Sequence, residues 1–202
     1  MLMLAIKSYL IGSIPFAYIF AKAWKKTDIR KVGSENVGTT NVLKQIGVVP
    51  GLLTALFDAS KGIGAVMLGR TIVSGVNGGE FIALLLAMIG HIWPVWLKFC
   101  GGGGLATFIG GMLLVSKWWV IIILLGIWGI LYKIMKSHDR SALVTCYISP
   151  VLLGIIHSSW NYFLFGISAA TIVGSKRLVS IKKNKHLPER NNSISNTTYR
   201  SI

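Results

Sequence analysis

The sequence predicts an all-α integral membrane protein with seven transmembrane helices, an outer N-terminus and a cytoplasmic C-terminus. Three observations carry that expectation: a shortage of charge, apolar runs spaced as membrane spans, and basic residues gathered on one side. Only 13% of the 202 residues are charged and 53% are hydrophobic, with a mean hydropathy of +0.65. Soluble domains carry about 25% charged residues. A water-soluble core of this length could not bury so much apolar surface. The opening segment is apolar but contains Lys7 and runs into Ala-Lys-Ala-Trp. It has no small-residue cleavage site and reads as a retained first span, not a signal peptide.

Apolar runs near 2–22, 48–69, 80–97, 104–116, 118–135, 141–157 and 159–174 supply the seven candidates. A straight span needs about 20 residues. The run at 104–116 is therefore too short, unless the glycines before it dip into the membrane. With the N-terminus outside, the inner loops hold Lys22, Lys25, Lys26, Arg30, Lys31 and Lys44, then Lys98, then Lys133, Lys136 and Arg140. Lys176, Arg177 and the basic residues beyond them follow the last span on the same side. Only Arg70 and Lys117 fall outside, while Lys7 and Lys61 lie within spans. This is the asymmetry of the positive-inside rule, and moving the frame by one span destroys it. The net charge of +15 then reads as topology plus attraction to anionic membrane lipids, and no nucleic-acid partner is expected.

The expected organisation is a membrane domain over 1–176 and a basic, polar, disordered cytoplasmic tail over 177–202. Two N-x-S/T matches in that tail, at Asn191 and Asn196, read as chance. Cys100 and Cys146 fit no metal or redox spacing, so no disulfide framework is expected.

Sidedness puts three polar stretches at one face. The first, G-S-E-N-V-G-T-T-N-V-L-K at 33–44, is dense in small hydroxyl and amide residues. Such residues expose backbone N–H groups and add short donors, which suits a phosphate or carboxylate; an ordinary polar turn capping span two is the alternative. The second is D-A-S-K-G at 58–62. Asp58 and Lys61 share a helix face, and a mid-membrane charge costs roughly 2.5–3.5 kcal/mol. They form either a pocket wall or a self-neutralising pair. The third is G-H-I-W-P at 90–94 followed by F-C-G-G-G-G-L-A-T at 99–107. Consecutive glycines can turn successive N–H groups toward one anion, and a helix starting near Leu105 would add its positive end. The alternatives are a flexible linker for the glycines and a structural role for His91. Together the three stretches point to an anion pocket open to the cytoplasm and the lipid.

These residues, with Y-L-I-G-S-I-P-F-A-Y-I-F-A-K in span one, resemble the bacterial acyl-phosphate:glycerol-3-phosphate acyltransferases, the PlsY family. The likeness covers about residues 9–111, with the motifs in order. It implies a seven-span enzyme of the bacterial inner membrane, its active site facing the cytoplasm. The implied reaction moves a fatty acyl group from acyl phosphate to the primary hydroxyl of sn-glycerol 3-phosphate, giving 1-acylglycerol 3-phosphate for phospholipid synthesis. It implies no metal, no cofactor and no acyl-enzyme, and the chain contains no G-x-S-x-G elbow. An acyl phosphate is already activated, so the protein needs mainly to bind two phosphates and align one hydroxyl.

Carried over by position, Ser34, Lys61 and His91 are the expected catalytic residues. Asn36, Gly38, Thr39, Thr40, Asn41, Lys44, Asp58, Gly101, Gly102, Gly103, Gly104 and Thr107 are the expected substrate-binding residues. The chain departs from the family pattern in three places. Lys44 stands where the first motif ends in arginine, so a bidentate fork becomes a point donor. In the loop pattern F-K-G-G-K-G-V-A-T the two lysines are Cys100 and Gly103 here. The His/Arg-rich stretch after span seven is G-S-K-R-L-V-S-I-K-K, without histidine or asparagine, and His186 lies too far along to replace them. Lys61, Lys98 and Lys44 are the candidates for the missing loop cation. Two other readings stay open: a weak or inactive homologue that binds phosphate ligands in a regulatory role, and a small anion transporter.

Overall fold

The computed structural model describes residues 1–73 and 78–185, and all regular structure among them is helical. The first apolar run is not one helix. α1 (Leu2–Ser13) ends at Ile14 and α2 (Phe16–Lys25) restarts after Pro15, whose ring has no N–H to donate and would collide with the carbonyl four residues back. A 3-10 turn at Ile29–Lys31 and α3 (Thr39–Gln45) lead into α4 (Val48–Ile72). Then come α5 (Gly79–Ile92), the glycine loop, α6 (Leu105–Val115), α7 (Trp118–Met135), α8 (His138–His157) and α9 (Trp160–Lys185).

Six of these segments are long and apolar enough to cross a membrane: Leu2–Lys25, Val48–Ile72, Gly79–Leu97, Trp118–Met135, His138–His157 and Trp160–Ile181. The run expected at 104–116 forms only the short helix Leu105–Val115. At 1.5 Å per residue such a helix covers roughly half of a ~30 Å hydrocarbon core. The aliphatic surface that a soluble protein would hide faces outward here, as at Ile122, Ile130, Ile134 and Ile155.

Inside the bundle, backbones approach through glycine. A Cβ on Gly12 would strike the Ala87 backbone and one on Gly90 the Tyr9 carbonyl, which seats α1 on α5. Gly62 meets the Thr107 carbonyl, and Gly110 meets that of Ala59, which seats α4 on α6. Small residues serve this purpose in membranes, where van der Waals contact replaces hydrophobic driving force between helices. Leu84, Met88, Met112, Leu153, Phe165 and Val173 join α5, α6, α8 and α9 into one buried cluster.

The loops alternate between two ends. One end carries the α2–α3–α4 connection, the glycine loop, the α7–α8 turn and the end of α9. At the other, Arg70 donates to the Leu114 carbonyl (2.7 Å) and pairs with Glu80 (3.4 Å). α9 also runs past the expected domain boundary at 176, so 177–185 is helical where tail was expected. The remaining tail, with His186, Asn191 and Asn196, lies outside the described residues.

Candidate active site

A cavity of about 860 Å³ opens at the end that carries the polar loops. One part of its wall is polar: Ser34, Asn36, Gly38, Thr39, Thr40, Asn41 and Lys44 from the α2–α3 segment, with Asp58, His91, Gly103 and Gly104. The larger part is mainly apolar, built from Leu105, Phe108, Ile109 and Met112 of α6, Ile121, Leu124, Leu125 and Trp128 of α7, and Ala142 and Cys146 of α8, with Thr145 and Ser149 of α8 among them. A polar head and a long apolar tail can lie in one continuous space.

The α2–α3 segment owes its shape to Asn41. This buried side chain donates through Nδ2 to the carbonyls of Ile29 (3.2 Å), Val32 (3.1 Å) and Asn36 (3.0 Å). Its Oδ1 accepts from the Ser34 backbone N–H at 3.1 Å. Gly33 takes φ +58°, and a Cβ there would run into Asn41 and Gln45. Asn41 thus borders the cavity and spends its amide on the loop, so it fixes the shape of the segment from Gly33 to Lys44. Just upstream, the Arg30 guanidinium hydrogen-bonds the Asp28 carboxylate (2.8 Å) and lowers its pKa from the ordinary 3.8 to about 2.

Asp58, Lys61 and His91 form one buried cluster. Lys61 Nζ lies 2.6 Å from Asp58 Oδ1 and 3.3 Å from His91 Nδ1, and His91 Nδ1 lies 3.6 Å from that same oxygen. Lys61 Nζ also stands 5.1 Å from the Phe16 ring, beneath the break at Pro15. Asp58 and His91 face the cavity, whereas Lys61 sits behind them and neutralises the carboxylate. An unpaired carboxylate there would bear the full cost of burial.

The glycine run divides in two. Gly101 and Gly102 give their N–H groups to the carbonyls of Ile92 and His91, each at 3.1 Å, and are not in the cavity wall. A Cβ on Gly101 would strike the His91 carbonyl and the Pro94 ring, and one on Gly102 the His91 imidazole and the Val37 carbonyl. They are glycines because two backbones and a ring meet there. The expected four-residue anion nest is therefore not formed: of the four only Gly104, at φ +80°, takes a positive φ. Gly103 and Gly104 alone reach the cavity. Thr107 is fully buried at the α4–α6 crossing and does not line it.

Of the three lysines considered for the missing loop cation, only Lys44 lines the cavity. The sequence reading missed Asp139, Arg177 and Ser180, which do. By sequence Arg177 falls in the expected tail over 177–202. Its signal was the spacing Val173, Arg177, Ser180, which continues one face of the last helix.

The sequence comparisons agree with this architecture. The family model described as glycerol-3-phosphate acyltransferase matches residues 2–185. The chain belongs to the glycerol-3-phosphate acyltransferase family. It is 36% identical over 163 residues to the glycerol-3-phosphate acyltransferase of Gloeobacter violaceus, covering 79% of each chain. It is 36% identical over 185 residues to glycerol-3-phosphate acyltransferase 2 of Moorella thermoacetica, covering 90% of this chain and 92% of that one. The crystal structure of PlsY in its glycerol 3-phosphate form superposes with a TM-score of 0.79 at 26% identity, with 90% of each chain covered. The lysophosphatidic acid form of PlsY shares the fold, with a TM-score of 0.75. Of the readings that the sequence left open, these findings support the acyltransferase, an integral multi-pass membrane enzyme.

Proposed function

We propose that this acyltransferase joins an acyl phosphate to sn-glycerol 3-phosphate inside the two-sided cavity. The observation that carries the reading is the meeting of the polar and apolar walls at Gly103 to Leu105. An acyl phosphate laid across that boundary puts its chain against α6 and α7, its phosphate by the glycine loop and its carbonyl between them. Ser34, Asn36, Thr39, Thr40 and Lys44 line the remaining polar space, where they hold the acceptor.

The primary hydroxyl oxygen attacks the acyl carbon, the bond from that carbon to the phosphate oxygen breaks, and the hydroxyl proton leaves on the departing phosphate. The products are 1-acylglycerol 3-phosphate and inorganic phosphate. Alignment supplies most of the acceleration, since the donor is already activated. Lys61 fixes Asp58, and with it the cavity face of His91, which orients the acceptor.

The chain crosses the bacterial inner membrane seven times, counting α6 with its glycine loop as one crossing, with the N-terminus outside and the cavity mouth in the cytoplasm. The basic loops support this direction, because Lys22 to Lys44, Lys98 and Lys133 to Arg140 share the end that bears the cavity. Residues up to 176, with the helical continuation to 185, form the membrane domain, and a short polar tail follows it.

The test uses the purified chain in lipid, with labelled glycerol 3-phosphate and either acyl phosphate or an acyl thioester as donor. Labelled lysophosphatidic acid from the acyl phosphate alone is expected, and equal or preferred use of the thioester would sink the donor assignment. Ser34→Ala should lower transfer at least tenfold, and unchanged transfer would remove Ser34 from the site.

A further inference from the structure

The Arg177 guanidinium lies over the glycine loop. Its Nη2 is 2.5 Å, and its Cζ 3.0 Å, from where a Cβ on Gly103 would stand. The residue is 5% exposed and borders the cavity. Nη1 donates to Asp139 Oδ1, and the other carboxylate oxygen of Asp139 accepts from Ser180 Oγ at 2.8 Å. Asp139 thereby holds one edge of the guanidinium and fixes its plane. The Nε–H is buried with no partner among the described residues. Leaving such a donor unmatched is costly, and a guanidinium presents its N–H groups in a fork suited to phosphate oxygens.

We propose that Arg177 is the phosphate-binding cation of the glycine loop in this chain, and that position 103 is glycine because the guanidinium occupies the space of its side chain. The cation comes from α9 instead of from the loop, and Gly103 and Arg177 form a coupled pair. The ligand is a phosphate monoester or acyl phosphate dianion, and which substrate carries it is read from the kinetics. This inference rests on the acyltransferase reading above.

The experiment uses the full chain reconstituted in lipid, with each substrate varied in turn, and the thermal unfolding midpoint measured with and without glycerol 3-phosphate or inorganic phosphate. Arg177→Gln should raise the KM for one substrate by about ten- to a hundredfold, the range of a lost charge-assisted hydrogen bond. The substrate whose KM moves identifies the phosphate. Arg177→Gln/Asp139→Asn should be as impaired as Arg177→Gln. A double variant restored to wild-type KM would mean that Arg177 only neutralises Asp139, which overturns the proposal. Gly103→Lys should weaken the wild type by displacing the guanidinium, yet improve the Arg177→Gln background by supplying a cation to the vacated space. The same effect in both backgrounds would refute the coupling. The midpoint separates the two readings. Phosphate stabilisation of wild type, lost in Arg177→Gln, with no transfer in either, would fail the reaction and keep the site. Equal stabilisation of both proteins would fail the site.

Discussion

Asn41 holds three carbonyls and one backbone N–H in a single amide, so the Ser34 to Lys44 segment has one shape because of one side chain. Asn41→Ala would leave those groups unmatched at about 1–3 kcal/mol. The unfolding midpoint should fall and the KM for glycerol 3-phosphate should rise, without direct contact to the ligand. If only the KM moved, Asn41 would be a ligand contact after all. Gly102 is a packing position, because a Cβ there meets the His91 ring and the Val37 carbonyl. Gly102→Val should therefore lose folded protein in a detergent-extraction and unfolding assay before any effect on phosphate affinity is measurable. A well-folded variant with only a raised KM would restore the anion-nest reading of this residue.

At the scale of elements, α7 and α6 divide their work. α6 is short, crosses α4 through Gly62 and Gly110, and carries the loop that meets the cavity at its first residues. α7 presents Ile122 and Ile130 outward and Ile121, Leu124 and Leu125 to the cavity. A larger side chain on that inner face shortens the apolar compartment without touching the polar part. Leu124→Trp should shift donor preference toward shorter acyl chains, with the KM for glycerol 3-phosphate within about twofold of wild type by the usual independence of distant sites. Competition between acyl phosphates of different length reads this directly, and an unchanged chain-length profile would move the acyl chain elsewhere.

For the whole molecule, the testable quantity is direction in the membrane. Cys100 is free and exposed beside the glycine loop. With Cys146 replaced by alanine, a membrane-impermeant maleimide should label Cys100 in inverted vesicles and not in intact cells. Lys117→Cys, added to a chain lacking both native cysteines, should label in intact cells. The reverse pattern would invert the topology and place the cavity mouth outside.

The sequence by itself determined the class and six of the apolar membrane segments, because hydropathy is summed over many residues and survives errors at single positions. It also identified the polar stretches, since small hydroxyl, amide and glycine residues are conspicuous in an apolar chain. Where each residue sits within those stretches was decided only by tertiary structure. Gly101 and Gly102 look the same as Gly103 and Gly104 in sequence, but the first two lie under His91 and the last two face the cavity. Lys61 stands out as a charge within an apolar span, yet it sits behind Asp58. Arg177 was one basic residue among several at the end of a span, and only the continuation of α9 to Lys185 brings it over a loop more than 70 residues earlier in the chain. Contacts at such separations depend on how helices cross, and no local pattern encodes a crossing.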